Sequence, residues 1–171
     1  MLYTIESVTS VQDKAGLEAM LEDYMTLMLQ KLISAGGPEL TVGDVLGDIW
    51  SDIDKYMPPT GRLVLARQPD GQLVGCGFMR QIGPDAGELK RLYVRPETRG
   101  HGLGRRLVKI RMDEARTMGW NSLLVDTFQG NTEMLALYKS LGFYEIPRYA
   151  ENANDPSLDP FLVYLRYDFD A

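Results

Sequence analysis

Apolar and polar positions alternate over residues 2–8 as in an opening strand. The period then lengthens. Leu17, Met20, Leu21, Tyr24, Leu27 and Met28 recur at the 3.6-residue spacing of one helix face, and Ser10 or Asp13 can cap that helix. Gly36-Gly37-Pro38 breaks it. A second helical stretch is predicted through Val45, Leu46, Ile49 and Tyr56, ending before Pro58-Pro59 because proline cannot continue the hydrogen-bond ladder. Residues 62–66 and 73–82 read as strands joined by the turn Gln68-Pro69-Asp70-Gly71-Gln72, and residues 88–94 as a third after Gly83-Pro84-Asp85. A helix over 102–118 places Leu103, Leu107, Ile110 and Met118 on one side, and Gly119 stops it. Residues 122–127, with Leu123-Leu124-Val125 in a row, form a buried strand. Asn131 can cap a helix bearing Met134, Leu135, Tyr138 and Leu141, closed by Gly142. Residues 143–146 and 161–169 complete a hairpin across a long connection, 147–160. The order β-α-α-β-β-β-α-β-α-β-β predicts an α/β protein with a mixed, twisted central sheet flanked by helices, as one domain over residues 1–171.

Composition narrows the class. At 171 residues one core can bury roughly 70% of the surface of the unfolded chain, so no staple is needed. Apolar residues make up 44% and charged residues 25%, which excludes a disordered or low-complexity chain. The longest apolar runs are four or five residues, too short to span a membrane, and no secretory leader is visible, so a cytoplasmic location is expected. One cysteine (Cys76) and one histidine (His101) exclude an intrachain disulfide and leave a Cys/His zinc site without ligands; no metal is expected.

The net charge of −6 is unevenly spread. Residues 1–60 carry ten acidic against three basic side chains, whereas residues 88–116 carry nine basic against four acidic. Nucleic-acid binding, which wants a broad positive face, is not expected. A basic segment in an acidic protein suits a compact anion, although a solvated helix face would also account for it.

The spacing of residues 94–106, Val94-Arg95-Pro96-Glu97-Thr98-Arg99-Gly100-His101-Gly102-Leu103-Gly104-Arg105-Arg106, favours the anion. Glycines let a strand-to-helix turn bend tightly so that its N–H groups converge, and the helix behind adds a partial charge of about +0.5. Arg105 and Arg106 in a first helical turn oppose that dipole unless an anion is bound there. A P-loop is excluded because no Lys-Ser or Lys-Thr follows the glycines, and a dinucleotide fingerprint because the last glycine comes one position early.

What fits is R/Q-x-x-G-x-G/A, carried by Arg99, Gly102 and Gly104. With the preceding Glu88-Leu89-Lys90-Arg91-Leu92-Tyr93-Val94 it resembles the GNAT superfamily of acyl-CoA-dependent N-acetyltransferases. Asn131-Thr132-Glu133-Met134-Leu135-Ala136-Leu137-Tyr138-Lys139-Ser140-Leu141-Gly142-Phe143 is similar to that family's N-x-x-A-x-x-L-Y-x-x-x-G-F segment, departing at Met134. The resemblance implies acetyl-CoA as co-substrate, with its pyrophosphate on the N–H groups of Arg99, Gly100, His101, Gly102, Leu103, Gly104 and Arg105. It also implies that Leu92, Tyr93 and Val94 pair with the pantetheine arm as an added strand, that this strand splays from residues 122–127, and that Asn131 lies near the arm. Capping of the helix is an equal reading of Asn131. A bulge near Arg91 would fit the mixed polarity of Glu88, Lys90 and Arg91 in a central strand.

The implied chemistry is attack of an amine on a thioester. An amine with pKa ~10.4 is less than about one part in a thousand neutral at pH 7, so a base is useful. Resemblance makes Glu88 that base and Tyr138 the acid that protonates the departing thiolate. Glu88 could instead be an ion-paired strand-end carboxylate, and Tyr138 also belongs to an apolar helix stripe. The N–H of Leu124 or Val125 could polarise the carbonyl. Cys76, in an apolar strand, reads as core, which favours direct transfer over an acyl-cysteine intermediate. The acceptor, a small amine, amino acid or peptide, is expected between the N-terminal helices and residues 147–160, weakly drawn by the acidic N-terminal part. A non-catalytic acyl-CoA-binding module and a nucleotide-phosphate binder remain as alternatives, and homodimer formation is left open.

Overall fold

The computed structural model describes residues 3–170. Seven strands form one sheet in the order β1-β2-β3-β4-β5-β7-β6. β1 (Thr4–Val8), β2 (Gly61–Arg67), β3 (Leu73–Gln81) and β4 (Ala86–Val94) pair antiparallel in succession. β5 (Ser122–Phe128) lies parallel to β4, which requires a crossover, supplied by α4 (Leu103–Thr117). β7 (Leu162–Asp168) pairs antiparallel with β5, and β6 (Tyr144–Ile146) closes the far edge.

Helices cover both faces. On one, Leu103, Leu107, Val108 and Met112 of α4 pack against Val64, Met79, Leu89 and Leu123, and Tyr138 of α5 (Thr132–Ser140) joins them. On the other, Leu17, Met20 and Leu21 of α1 (Lys14–Ser34) pack against Leu63, Leu65 and Phe78. Burial on both sides explains the unbroken apolar run Leu123-Leu124-Val125, which a half-exposed strand would not carry. Asp13, rather than Ser10, caps α1 by accepting from the Gly16 N–H at 2.9 Å. Of the expected opening strand, Leu2 lies outside the described residues.

The second helical stretch is corrected. It is three short pieces: α2 (Val42–Leu46), α3 (Ile49–Asp52) and a 3-10 turn at Ile53–Tyr56. Gly47, at φ 59°, turns the chain, and the Asp48 side chain starts a new helix by accepting from the Trp50 N–H at 3.0 Å. Ile49 and Tyr56 are buried all the same, so the apolar spacing serves successive turns as well as one helix.

Two irregularities position the site. Opposite Phe78↔Lys90 and Cys76↔Tyr93, one β3 residue (Gly77) faces two on β4 (Arg91 and Leu92), and Arg91 takes φ 48°. This is the bulge expected near Arg91; the extra residue bends and twists β4. Second, the β4–β5 register ends at Leu89↔Val125. Beyond it β4 stays with β3 as far as Val94, while β5 stays with β7 as far as Phe128. The two central strands therefore part into a wedge.

Candidate active site

A cavity of about 280 Å³ opens in the wedge. Leu89, Lys90, Arg91 and Leu92 line it from β4, and Val125, Asp126, Thr127 and Phe128 from β5. Tyr24 and Met28 of α1 close one side, Met134 and Tyr138 of α5 another, and Asn154 and Leu158 reach in from the connection before β7. Met134, the departure from the family pattern, is thus part of the cavity wall. Of Leu124 and Val125, only Val125 lines the cavity.

At one end of the wedge, β4 leads through a 3-10 turn (Pro96–Thr98) to the glycine segment. Gly100 and Gly102 have φ of 82° and 73°, and a Cβ at either would meet nothing within 4 Å; these glycines are required by backbone conformation, not by crowding. Gly102 is the N-cap of α4, its first turn has no side-chain cap and no acidic residue, and its leading N–H groups have no side-chain acceptor. A Cβ at Gly104 would make only ordinary contacts, 3.8 Å from Val94 Cγ2 and 3.9 Å from Leu137 Cδ2, so the space above it is open. Gly100, His101, Gly102 and Arg105 are exposed, whereas the Leu103 side chain anchors α4 in the core. Arg99 donates to the Val94 carbonyl at 2.9 Å and lies 5.7 Å from the Tyr93 ring centroid. An uncapped, positive helix end beside open space fits a diphosphate.

The acid–base candidates lie deeper. Tyr138 is 3% exposed, lines the cavity and packs on Phe143 at 5.2 Å between ring centroids. Burial raises its phenol above the ordinary value, opposed by the charge of buried Arg111, so it keeps its proton at neutral pH. Asn131 is 5% exposed and makes no side-chain capping bond. Its Oδ1 accepts from Lys31 Nζ at 2.8 Å and its Nδ2 donates to Thr127 Oγ1 at 3.0 Å, tying α1, β5 and α5 together beside the cavity.

Glu88 takes the ion-paired arrangement that was one of its two sequence readings. It is fully buried and does not line the cavity. Tyr149 donates to its Oε1 at 2.5 Å, Arg80 Nε is 2.7 Å from Oε2, and Lys90 Nζ is 3.2 Å from Oε1. The neighbouring carboxylate that does reach the cavity is Asp126 of β5. It pairs with Lys90 at 2.8 Å and accepts from Asn152 Nδ2 at 2.8 Å. Burial pushes Asp126 upward, but Lys90 and the side-chain amides of Asn152 and Asn154 outweigh it and hold the carboxyl below the usual range. Lys90 shows the converse: burial lowers it, and Asp126 with Glu88 raise it above the ordinary lysine. Asp126 and Tyr149 were missed because no local pattern marks them. The visible signal was an acidic residue directly after Leu123-Leu124-Val125 in a central strand.

Cys76 is fully buried, and burial pushes its thiol up to about 12, so a thiolate does not form there at neutral pH. Among the described residues no cluster of three or more His, Cys, Asp or Glu could hold a metal ion, and no helix is long and apolar enough to cross a membrane.

The family model described as Acetyltransferase (GNAT) family matches residues 25–143, and the chain belongs to that family. An uncharacterized N-acetyltransferase of Schizosaccharomyces pombe is 34% identical over 149 residues, spanning 86% of this chain and 88% of the relative. An IAA acetyltransferase of Azospirillum brasilense is 34% identical over 119 residues, spanning 65% and 77%. A GNAT-family acetyltransferase structure from Staphylococcus aureus superposes with a TM-score of 0.72 at 17% identity over 94% of this chain and 98% of that one, a likeness of fold. The chain is an acyltransferase of the GNAT acetyltransferase class.

Proposed function

We propose that this enzyme transfers acetyl from acetyl-CoA directly to a primary amine, with both substrates bound together. The observation that carries the reading is that the parted edge of β4, which lines the cavity holding Tyr138 and Asp126, leads along the chain to the open α4 N-terminus. Acetyl-CoA supplies an activated thioester carbonyl. The N–H groups of Gly100, His101, Gly102, Leu103, Gly104 and Arg105 hold its diphosphate, whereas the expected donor at Arg99 is taken by the Pro96 carbonyl at 3.2 Å. Leu92, Tyr93 and Val94 offer main-chain partners to the pantetheine amides, and Asn131 flanks them.

In the reaction a C–N bond forms and the C–S bond breaks. The amine loses a proton to a carboxylate, and the leaving sulfur gains one. Tyr138 donates to the sulfur; a buried neutral phenol is suited to that task. Asp126 meets the amine at the cavity wall. Glu88 stands behind it, joined through Lys90 and Tyr149, and keeps both oriented. The reading takes residues 1–171 as one catalytic domain, and the lone buried Cys76 suits a cytoplasmic location.

The test is mass spectrometry of a mixed amine library incubated with acetyl-CoA. Acetylated amines that depend on Tyr138 support the reading. Tight acetyl-CoA binding without transfer to any amine would leave a binding module in its place.

A further inference from the structure

Five charged side chains among the described residues line the cavity: Asp52, Arg80, Lys90, Arg91 and Asp126. Four have partners. Asp52 pairs with Lys55 at 2.5 Å, Arg80 with Glu88 at 2.7 Å, and Lys90 with Asp126 at 2.8 Å. Arg91 does not. Its side chain makes no ion pair or hydrogen bond among the described residues, and its buried Nη1 has no acceptor. A guanidinium N–H withdrawn from water without an acceptor is costly, and the neighbouring carboxylate, Asp52, is engaged by Lys55. Its guanidinium carbon lies 5.5 Å from the ring centroids of both Tyr56 and Phe78, contacts that hold the group in place but satisfy none of its N–H donors. The bulge with φ 48° at Arg91 puts this side chain on the α1 and α3 side of the sheet, among Tyr24, Asp52 and Tyr56. That side is opposite the face covered by α4, whose N-terminus forms the cradle.

We propose that Arg91 is the carboxylate-recognition residue of the acceptor site, so that the acceptor is an amino acid: an amine that also bears a free carboxylate. Arg91 takes the carboxylate on the β4 wall while Asp126 faces the amine from the β5 wall. A planar guanidinium with free N–H donors matches a carboxylate in two parallel bonds. A simple cationic amine would leave Arg91 as unpaired as before.

This deepens the transferase reading and rests on it for the acceptor's place, so the experiment separates the two. N-acetyl-amino acids, the products such acceptors would give, and the matching N-acetyl-amino acid amides are titrated by calorimetry against CoA-loaded protein, wild type and Arg91→Gln. Acetyl transfer to the free amino acids and to their amides is followed in parallel. The acids should bind wild type at least tenfold more tightly than the amides. Arg91→Gln should erase that difference, and Arg91→Lys should retain part of it. Acids that bind no better than amides, or not at all, overturn the proposal. Acid-selective binding with no transfer to any amine supports the carboxylate site while removing the transferase reading; transfer to amides as readily as to acids does the reverse. Should Arg91→Gln fail to fold, the comparison of acids with amides on wild type decides alone.

Discussion

The Tyr149 hydroxyl donates to Glu88 Oε1 at 2.5 Å, fastening the connection between β6 and β7 to the centre of the sheet. Burial, with the charges of Asp126 and Glu88, raises Tyr149 far above an ordinary phenol, so it is a permanent donor. Tyr149→Phe removes one donor from a fully buried carboxylate. A hydrogen bond to a charged group is worth about 1.5–3 kcal/mol, so unfolding in denaturant should show a stability loss of that order. A midpoint unchanged from wild type would mean that Arg80 and Lys90 suffice.

Tyr138→Phe should lower turnover ~10²-fold or more while leaving acetyl-CoA affinity nearly intact. Because burial raises this phenol, the donor form persists through neutral pH, and the activity it supports should fall only on the alkaline side. Steady-state kinetics with a direct binding measurement checks both; full activity in the variant would remove Tyr138 as the acid.

Gly104→Glu should abolish acetyl-CoA binding by placing a bulky anion in the cradle while the fold survives; Gly102→Glu should do so too, with an added stability loss from strain at φ 73°. Gly104→Ala is the control: a Cβ there meets only Val94 and Leu137 at van der Waals distance, so affinity should fall far less. Calorimetry with acetyl-CoA distinguishes them.

Asp126 contributes a pH-dependent part of stability. Its folded-state carboxyl is held below the ordinary value of about 3.9, by Lys90 and the neighbouring amides against burial. The contribution is therefore fully present above about pH 4 and is lost as pH falls through the lowered folded value. Asp126→Asn should flatten the acid limb of a stability-versus-pH curve. An acid limb identical to wild type would argue against the pairing with Lys90.

Gly77→Ala tests the bulge. A Cβ at residue 77 would stand 2.7 Å from the Arg111 guanidinium carbon, and Arg111 is fully buried, held by the Phe78 carbonyl at 2.8 Å and that of Leu107 at 3.1 Å. Overpacking of this kind costs about 1–3 kcal/mol. Thermal unfolding should register the loss, together with reduced turnover as the bulge shifts.

The turn into α4 was legible because its code is local: Gly100, Gly102 and Gly104 stand between a strand and a helix within a few consecutive residues. The bulge was legible for a related reason, since Glu88, Lys90 and Arg91 could not all be buried in a regular central strand. Of the Glu88 environment only the ion pairing itself was legible. Arg80 and Tyr149, which hold it, come from a different strand and from residues far along the chain, and only the assembled sheet brings them together. The broken helix over residues 42–56 was misread because apolar spacing alone does not separate one helix from a string of turns; Gly47 and Asp48 were the marks.

The wedge has a mechanical consequence. β4 and β5 share a register of only four residue pairs, from Ala86↔Ser122 to Leu89↔Val125, and it is the strand pairing that links β1–β4 to β5–β7. The molecule has a seam along its middle. A ligand strung through that opening would act as a stitch between the two lobes, and amide hydrogens along both lips should exchange more slowly once it is threaded.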